Sequence, residues 1–286
     1  MSHLIYSDTF CRLGEGALWH PERGTLFWFD ILDGKLFEHD GSSQRNWKFD
    51  RMVSAAGWID ETRLLIASER DLFIFDLETG SEESLVGLEA EREEMRSNDG
   101  RADPWGGFWI GTMAKDQSGN KGSGQGAIYR YYQGELRMIY DALTIPNAIC
   151  FSPGGAYAYF TDTPTRIIRR VTLDAEGWPS DSPEDWLDLR SEKLNPDGAV
   201  VDSQGNLWNA QWGAGRVACY NPEGRFLTAI GLAAGQISCP VFGGPHLSTM
   251  FATSAYEDAP ADDRLAGMTF SVPTGFKGQR EHRVLL

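Results

Sequence analysis

Residues Thr25–Asp40 read TLFWFDILDGKLFEHD. An apolar strand, a short Asp-Gly break and a second strand follow one another, with turn glycine Gly24 just before. The layout returns as RLLIASERDLFIFDLETG at Arg63–Gly80, then as GFWIGTM at Gly107–Met113 with GAIYRYYQGE at Gly126–Glu135. It returns again as AYAYFTDTPTRIIRRVTLDAEG at Ala156–Gly177 and NLWNAQWGAGRVACYNPEG at Asn206–Gly224. The last copy is TMFATSAYED at Thr249–Asp258 with LAGMTFSVPTG at Leu265–Gly275. The copies begin near Gly24, Thr62, Gly107, Gly155, Gly205 and Leu247, spaced by 38, 45, 48, 50 and 42 residues. A hairpin-based period of this size predicts a six-bladed β-propeller with four-stranded antiparallel blades around a central axis. No linker interrupts the repeats, so residues 1–286 are expected to form a single domain. A propeller must close its ring or leave sheet edges open, and the apolar run in Leu4–Thr9 is expected to supply the outer strand of the last blade.

Composition narrows the function. Of 286 residues, 41% are hydrophobic, enough for a sizeable core, and no apolar run reaches the ~18 residues of a membrane span. The net charge of −15 and the absence of a basic stripe exclude nucleic acid and anionic membranes as partners. The acidic stretch Leu88–Glu94 reads as a solvated loop. MSHLIYSDTF has no secretory pattern, and Cys11, Cys150, Cys219 and Cys239 share no short spacing, so reduced, buried thiols in a cytoplasmic protein are expected. There is no CxxC, HExxH, GxSxG or P-loop, and the Gly-rich stretch Gly119–Gly126 lies between two strands and opens no helix.

The chemistry sits in the segments before the hairpins. LGEGALWHPERG (Leu13–Gly24), RSNDGRADPWGG (Arg96–Gly107), IPNAICFSPGG (Ile145–Gly155) and NPDGAVVDSQG (Asn195–Gly205) each place one polar residue eight or nine positions before the turn glycine. These residues are Glu15, Asn98, Asn147 and Asp197. Taken singly, NDG and PDG are ordinary turn chemistry, and Glu15 could end a strand in solvent. Their shared register puts all four at the same height on successive innermost strands, converging on the axis. Glu, Asn and Asp oxygens suit a hard cation such as calcium, magnesium or manganese, and zinc also accepts carboxylates.

At these residues the chain resembles the regucalcin/gluconolactonase family, which includes senescence-marker protein and luciferin-regenerating enzyme. The resemblance runs from about Ser7 to Thr274. It is carried by GEGALW at Gly14–Trp19, RSNDGRADPWGGFWIGTM at Arg96–Met113, QGAIYR at Gln125–Arg130 and IPNAICFSP at Ile145–Pro153. YFTDT at Tyr159–Thr163, NPDGAVVDSQGNLWNA at Asn195–Ala210, GRV at Gly215–Val217 and CPVFGGP at Cys239–Pro245 continue it. The resemblance implies a six-bladed propeller holding one axial divalent metal on Glu15, Asn147 and Asp197, with calcium or zinc foremost and magnesium or manganese as further candidates. It implies that Arg96 and Asn98 contact substrate and that the activity is hydrolysis of a sugar lactone. One departure concerns an acidic substrate contact of the family, whose place falls on Gly122.

On this reading the protein is a metal-dependent lactonase that converts an aldonolactone such as gluconolactone to the free acid, acting as a monomer or small homo-oligomer. Asp197 is the expected catalytic base, and Trp212 either walls the pocket or packs in the core. Two alternatives stand beside it. One is an esterase or organophosphate hydrolase on the same propeller; the other is a calcium-binding regulatory propeller without catalysis.

Overall fold

In the strand Thr25–Asp30 every residue is buried, and its side chains depart alternately into two different layers. Phe27 and Phe29 pack with Leu64, Ile66, Phe73 and Phe75 of the next repeat. Leu26 and Trp28 pack the opposite way, with Val241 and Phe251 of the last repeat. The period-two alternation of a strand thus serves two neighbours at once, which is why these strands are apolar at nearly every position. The same division recurs around the chain: Leu65 and Leu72 meet Phe108 and Ile110, while Trp109 meets Phe151 and Phe160. Tyr159 and Ile168 then meet Leu207, and Trp208 meets Phe242 and Phe270. Each buried Phe or Leu contributes about 1.5–3 kcal/mol relative to exposure, so these layers dominate the stability of the ring.

The computed structural model describes residues 4–286. Its strands form six four-stranded antiparallel sheets, each built from consecutive strands except the last. The innermost strands are Gly14–His20, Val53–Trp58, Met95–Ala102, Pro146–Phe151, Asn195–Val201 and Ile237–Gly243. We number the blades one to six in that order. The ring closes as the sequence predicts. Leu4–Ser7 pairs antiparallel with Thr269–Pro273, Leu4 opposite Ser271, and becomes the outer strand of blade six.

Residues 277–286 form a feature that no repeat announces. This segment runs in irregular conformation across the end of the ring where the innermost strands finish. Gly278 N–H donates to the Leu247 carbonyl, Gln279 Nε2 to the carbonyls of Phe151 and Val201, and Trp58 Nε1 to the Glu281 carbonyl. Leu285 N–H donates to Gly106, and the Glu281 carboxylate accepts from buried Arg101. The strap therefore ties blades two to six to one another. Among the described residues no helix is long and apolar enough to cross a membrane. The four cysteines are free and buried.

Candidate active site

The innermost strand of every blade slips register against its neighbour. The slips fall between Glu15 and Leu18, Val53 and Ala55, Ser97 and Gly100, Asn147 and Cys150, Pro196 and Ala199, and Ile237 and Pro240. Such a bulge bends the strand and re-aims a side chain. In blades one and four the residue after the polar one is in the left-handed region, Gly16 at φ 59° and Ala148 at φ 57°. Hence NDG and PDG are not turns in this chain. Both lie inside innermost strands, at the bulge. Glu15 is no exposed strand end, with only 7% of its surface accessible.

The bulges bring Glu15, Asn98, Asn147 and Asp197 to the floor of one pocket of about 430 Å³, together with Arg96. A chain of hydrogen bonds fixes the amides. Arg96 Nη1 donates to Asn98 Oδ1 at 2.8 Å and to the Ser97 carbonyl at 2.9 Å. Asn98 Nδ2 donates to Asn147 Oδ1 at 2.8 Å and to the Pro146 carbonyl at 3.0 Å. Asn147 Nδ2 donates to Thr163 Oγ1 at 3.0 Å, and that hydroxyl donates to the Pro196 carbonyl at 2.8 Å, one residue before Asp197. Asn209 Nδ2 bonds the Asp197 carbonyl at 2.9 Å from behind. Asn147 Oδ1 is thereby oriented with one lone pair still open.

Electrostatically the floor is short of positive charge. Burial, then the charge of Asp99, pushes the Glu15 carboxyl up to about 8, against the Gly16 N–H and Arg96, which favour its charged form. Burial and the charges of Glu15 and Asp99 raise Asp197 well above the usual carboxylate range. Burial pulls Arg96 down to about 10, while Glu15, Glu257 and Asp197 work to keep it charged. Two carboxyls buried side by side cannot both ionise cheaply beside one guanidinium. A further cation would relieve them, and the donors that could hold it are the Glu15 and Asp197 carboxylates and Asn147 Oδ1. Among the described residues no three His, Cys, Asp or Glu side chains gather to hold a metal, so any such site here depends on the amide.

Several residues in and beneath the pocket carry no mark in the repeat. Thr163 orients Asn147, and Asp99, whose carboxylate accepts from Ile149 N–H at 2.8 Å, charges the floor from below. The charged and amide parts of the walls come from the two long connections at this end of the ring, residues 115–125 of blade three and 255–268 of blade six. The first supplies Lys115, Gln117 and Ser118, the second Glu257 and Asp258. Gly122 packs against the side-chain amide of Gln117, so this loop presents an amide and a hydroxyl to the pocket. Trp212 does both things weighed for it: it lines the pocket and packs on the layer between blades one and two.

Residues 13–256 match the family described as the SMP-30/gluconolactonase/LRE-like region. The chain belongs to this family. L-arabinolactonase of Azospirillum brasilense is 34% identical over 98% of this chain and 94% of its own length. A 6-deoxy-6-sulfogluconolactonase of Pseudomonas putida is 30% identical over 94% of each. Among solved structures, the calcium-binding protein regucalcin from Agrobacterium tumefaciens superposes with a TM-score of 0.96 at 35% identity, covering 100% of this chain and 98% of its own.

Proposed function

We propose that this member of the family is a metal-dependent lactonase that opens an aldonolactone, such as gluconolactone, to the aldonic acid. The observation that carries the reading is the convergence of two buried carboxylates, an oriented amide oxygen and Arg96 on one pocket floor. The relatives named as an arabinolactonase and a sulfogluconolactonase support the reaction class. The calcium-binding neighbour supports a divalent cation.

Glu15, Asn147 and Asp197 would hold the cation, with calcium or zinc foremost. When bound, it supplies Lewis-acid polarisation of the lactone carbonyl and stabilises the negative charge that develops there. Arg96, nine-tenths buried and, among the described residues, bonded only through Nη1, directs its remaining donors to substrate oxygens. Asn98 holds Asn147 and Arg96 in register with that substrate. The Asp197 carboxylate takes a proton from the attacking water. The water oxygen bonds to the carbonyl carbon, the ring C–O bond breaks, and the ring oxygen takes the proton held on Asp197 and leaves as a hydroxyl, returning Asp197 to its carboxylate form. Trp212 and the other apolar walls limit the water around the reacting ester.

The test is hydrolysis of a panel of aldonolactones, followed by acid release, in chelator-treated protein reloaded with calcium, zinc, magnesium or manganese. Turnover of at least one lactone, lost on chelation and restored by a metal, is expected. Asp197→Ala should lower it by about a hundredfold or more, since it deletes a charge and the base together. Wild-type turnover in Asp197→Ala with metal still bound overturns the mechanism. Faster turnover of esters or organophosphates than of every lactone replaces the substrate class. Tight calcium binding with no turnover at all makes the protein a regulatory binder.

A further inference from the structure

The wall supplied by residues 255–268 is acidic, and its two pocket-lining carboxylates, on Glu257 and Asp258, are free among the described residues. Glu257 lines the pocket and lies close enough to Arg96 for its charge to help keep the guanidinium ionised. Among the described residues its carboxylate has neither hydrogen-bond nor ion-pair partner. Asp258 is likewise without a side-chain partner among the described residues, but of the two it is Glu257 whose charge acts on Arg96. Three acids outside the pocket lining are engaged. Asp263 accepts from Gly235, Leu265 and Ala266 N–H, Glu69 pairs with Lys115 at 2.7 Å, and Glu89 accepts from Thr112 and Tyr129.

The backbone beneath Glu257 is held in place. Tyr256 and Glu257 N–H both donate to the Arg12 carbonyl, at 3.1 and 2.9 Å. Asp258 sits at φ 56°, and its carbonyl accepts from the buried amide of Gln236 at 3.0 Å. Such a support fixes the point from which the exposed Glu257 side chain reaches the pocket.

Charge completes the picture. Glu15, Asp197, Glu257 and Asp258 face Arg96 and Lys115, and Lys115 is already spent on Glu69 and on the Glu93 carbonyl. Even with a divalent cation on the floor, the pocket retains no surplus positive charge for an anionic substituent. An ionised carboxylate accepts hydrogen bonds and donates none, so it pairs with hydroxyls and repels phosphate, sulfonate and carboxylate.

We propose that Glu257 is a specificity-determining residue, whose carboxylate accepts hydrogen bonds from the hydroxyls of a neutral polyhydroxylated lactone and turns away lactones that carry an anionic group. The proposal rests on the lactonase reading and deepens it. It places the polyol portion of the substrate between Arg96 donors on one side and Glu257 acceptors on the other.

The test compares two lactones that differ only at the terminal carbon: galactonolactone, with a primary alcohol there, and galactarolactone, with a carboxylate, both in their five-membered-ring forms. Metal-loaded wild-type protein should favour the neutral lactone. Glu257→Gln should raise its KM about three- to tenfold with little change in kcat, and should cut the neutral-to-anionic preference about tenfold, in the range that one charged contact commonly controls. Glu257→Asp, which retains the charge, should keep the preference. Calorimetric metal titration should give the same affinity in all three proteins. A preference ratio within about twofold of wild type in Glu257→Gln overturns the proposal while leaving the lactonase reading intact. Absence of any lactone turnover in the wild type overturns both.

Discussion

Asn147 is held at both ends of its amide, by Asn98 on the oxygen and by Thr163 on the nitrogen. That arrangement removes the ambiguity of an amide in a site, because only one orientation satisfies a donor on one side and an acceptor on the other. Arg96 differs in kind. Its contacts on the floor are one Nη1 shared between Asn98 and a backbone carbonyl, and the rest of the guanidinium is left to the pocket. If it serves substrate and not cation, its loss should separate the two. Arg96→Leu is expected to lower kcat/KM for lactone hydrolysis by about tenfold to a thousandfold. Metal affinity, read by calorimetry, should stay within about fivefold of wild type, less than the loss typical when a partner that orients a metal ligand is removed. A parallel fall in both would place Arg96 among the residues that build the cation site.

At the scale of the element, the site is a property of bulged innermost strands. Gly16 shows the constraint most sharply. It sits at φ 59°, and a Cβ there would fall 2.2 Å from the Ser54 carbonyl of the neighbouring blade. Gly24 also has positive φ, 67°, but a Cβ there meets nothing within 4 Å. Gly24→Ala should therefore cost only about 1 kcal/mol of backbone strain. Gly16→Ala adds a backbone clash that must displace the Glu15 bulge, so melting should fall by more than in Gly24→Ala, and metal affinity should fall only in Gly16→Ala. Equal melting losses with unchanged affinity would show that the bulge tolerates the move. The bulge also explains what the sequence discloses. Glu15, Asn98, Asn147 and Asp197 were legible because the distance from each to its turn glycine is nearly constant, and a constant distance along equivalent strands is a constant height on the axis. The bulge uses the same Asn-Asp-Gly chemistry as a turn, so the local motif alone pointed elsewhere. Thr163, Glu257 and Gln117 were not legible, because they sit in connections of unequal length where no count from a glycine fixes position. The strap at 277–286 was missed for another reason: it belongs to no repeat, and its side-chain bonds go largely to backbone carbonyls, which carry no residue pattern.

At the scale of the whole molecule, ring closure and site charge both act on stability. Glu15 and Asp197 hold their protons more tightly in the folded, metal-free chain than an unfolded carboxyl does. The folded state then binds more protons, so this contribution to stability is complete below the ordinary carboxylate range and is lost as pH rises toward about 8, the Glu15 value. A cation competes with those protons. The melting temperature of metal-free protein should therefore fall between about pH 5 and 8, and the rise on adding metal should grow across the same window; a metal-induced rise independent of pH would remove these carboxyls from the cation site. The opposite end of the axis tests the strap. Arg101 and Glu281 are each only 8% exposed and pair across it. Removing one partner leaves the other charge buried alone, at about 3–5 kcal/mol, whereas replacing both with apolar groups of similar size is often neutral. Glu281→Leu alone should lower the melting temperature by about 6–20 °C, and adding Arg101→Met should recover most of that loss. If the double variant melts as low as the single one, the ion pair is what pins the strap across the blades. If Glu281→Leu alone has no effect, the backbone bonds at Gly278, Glu281 and Leu285 hold the strap without it.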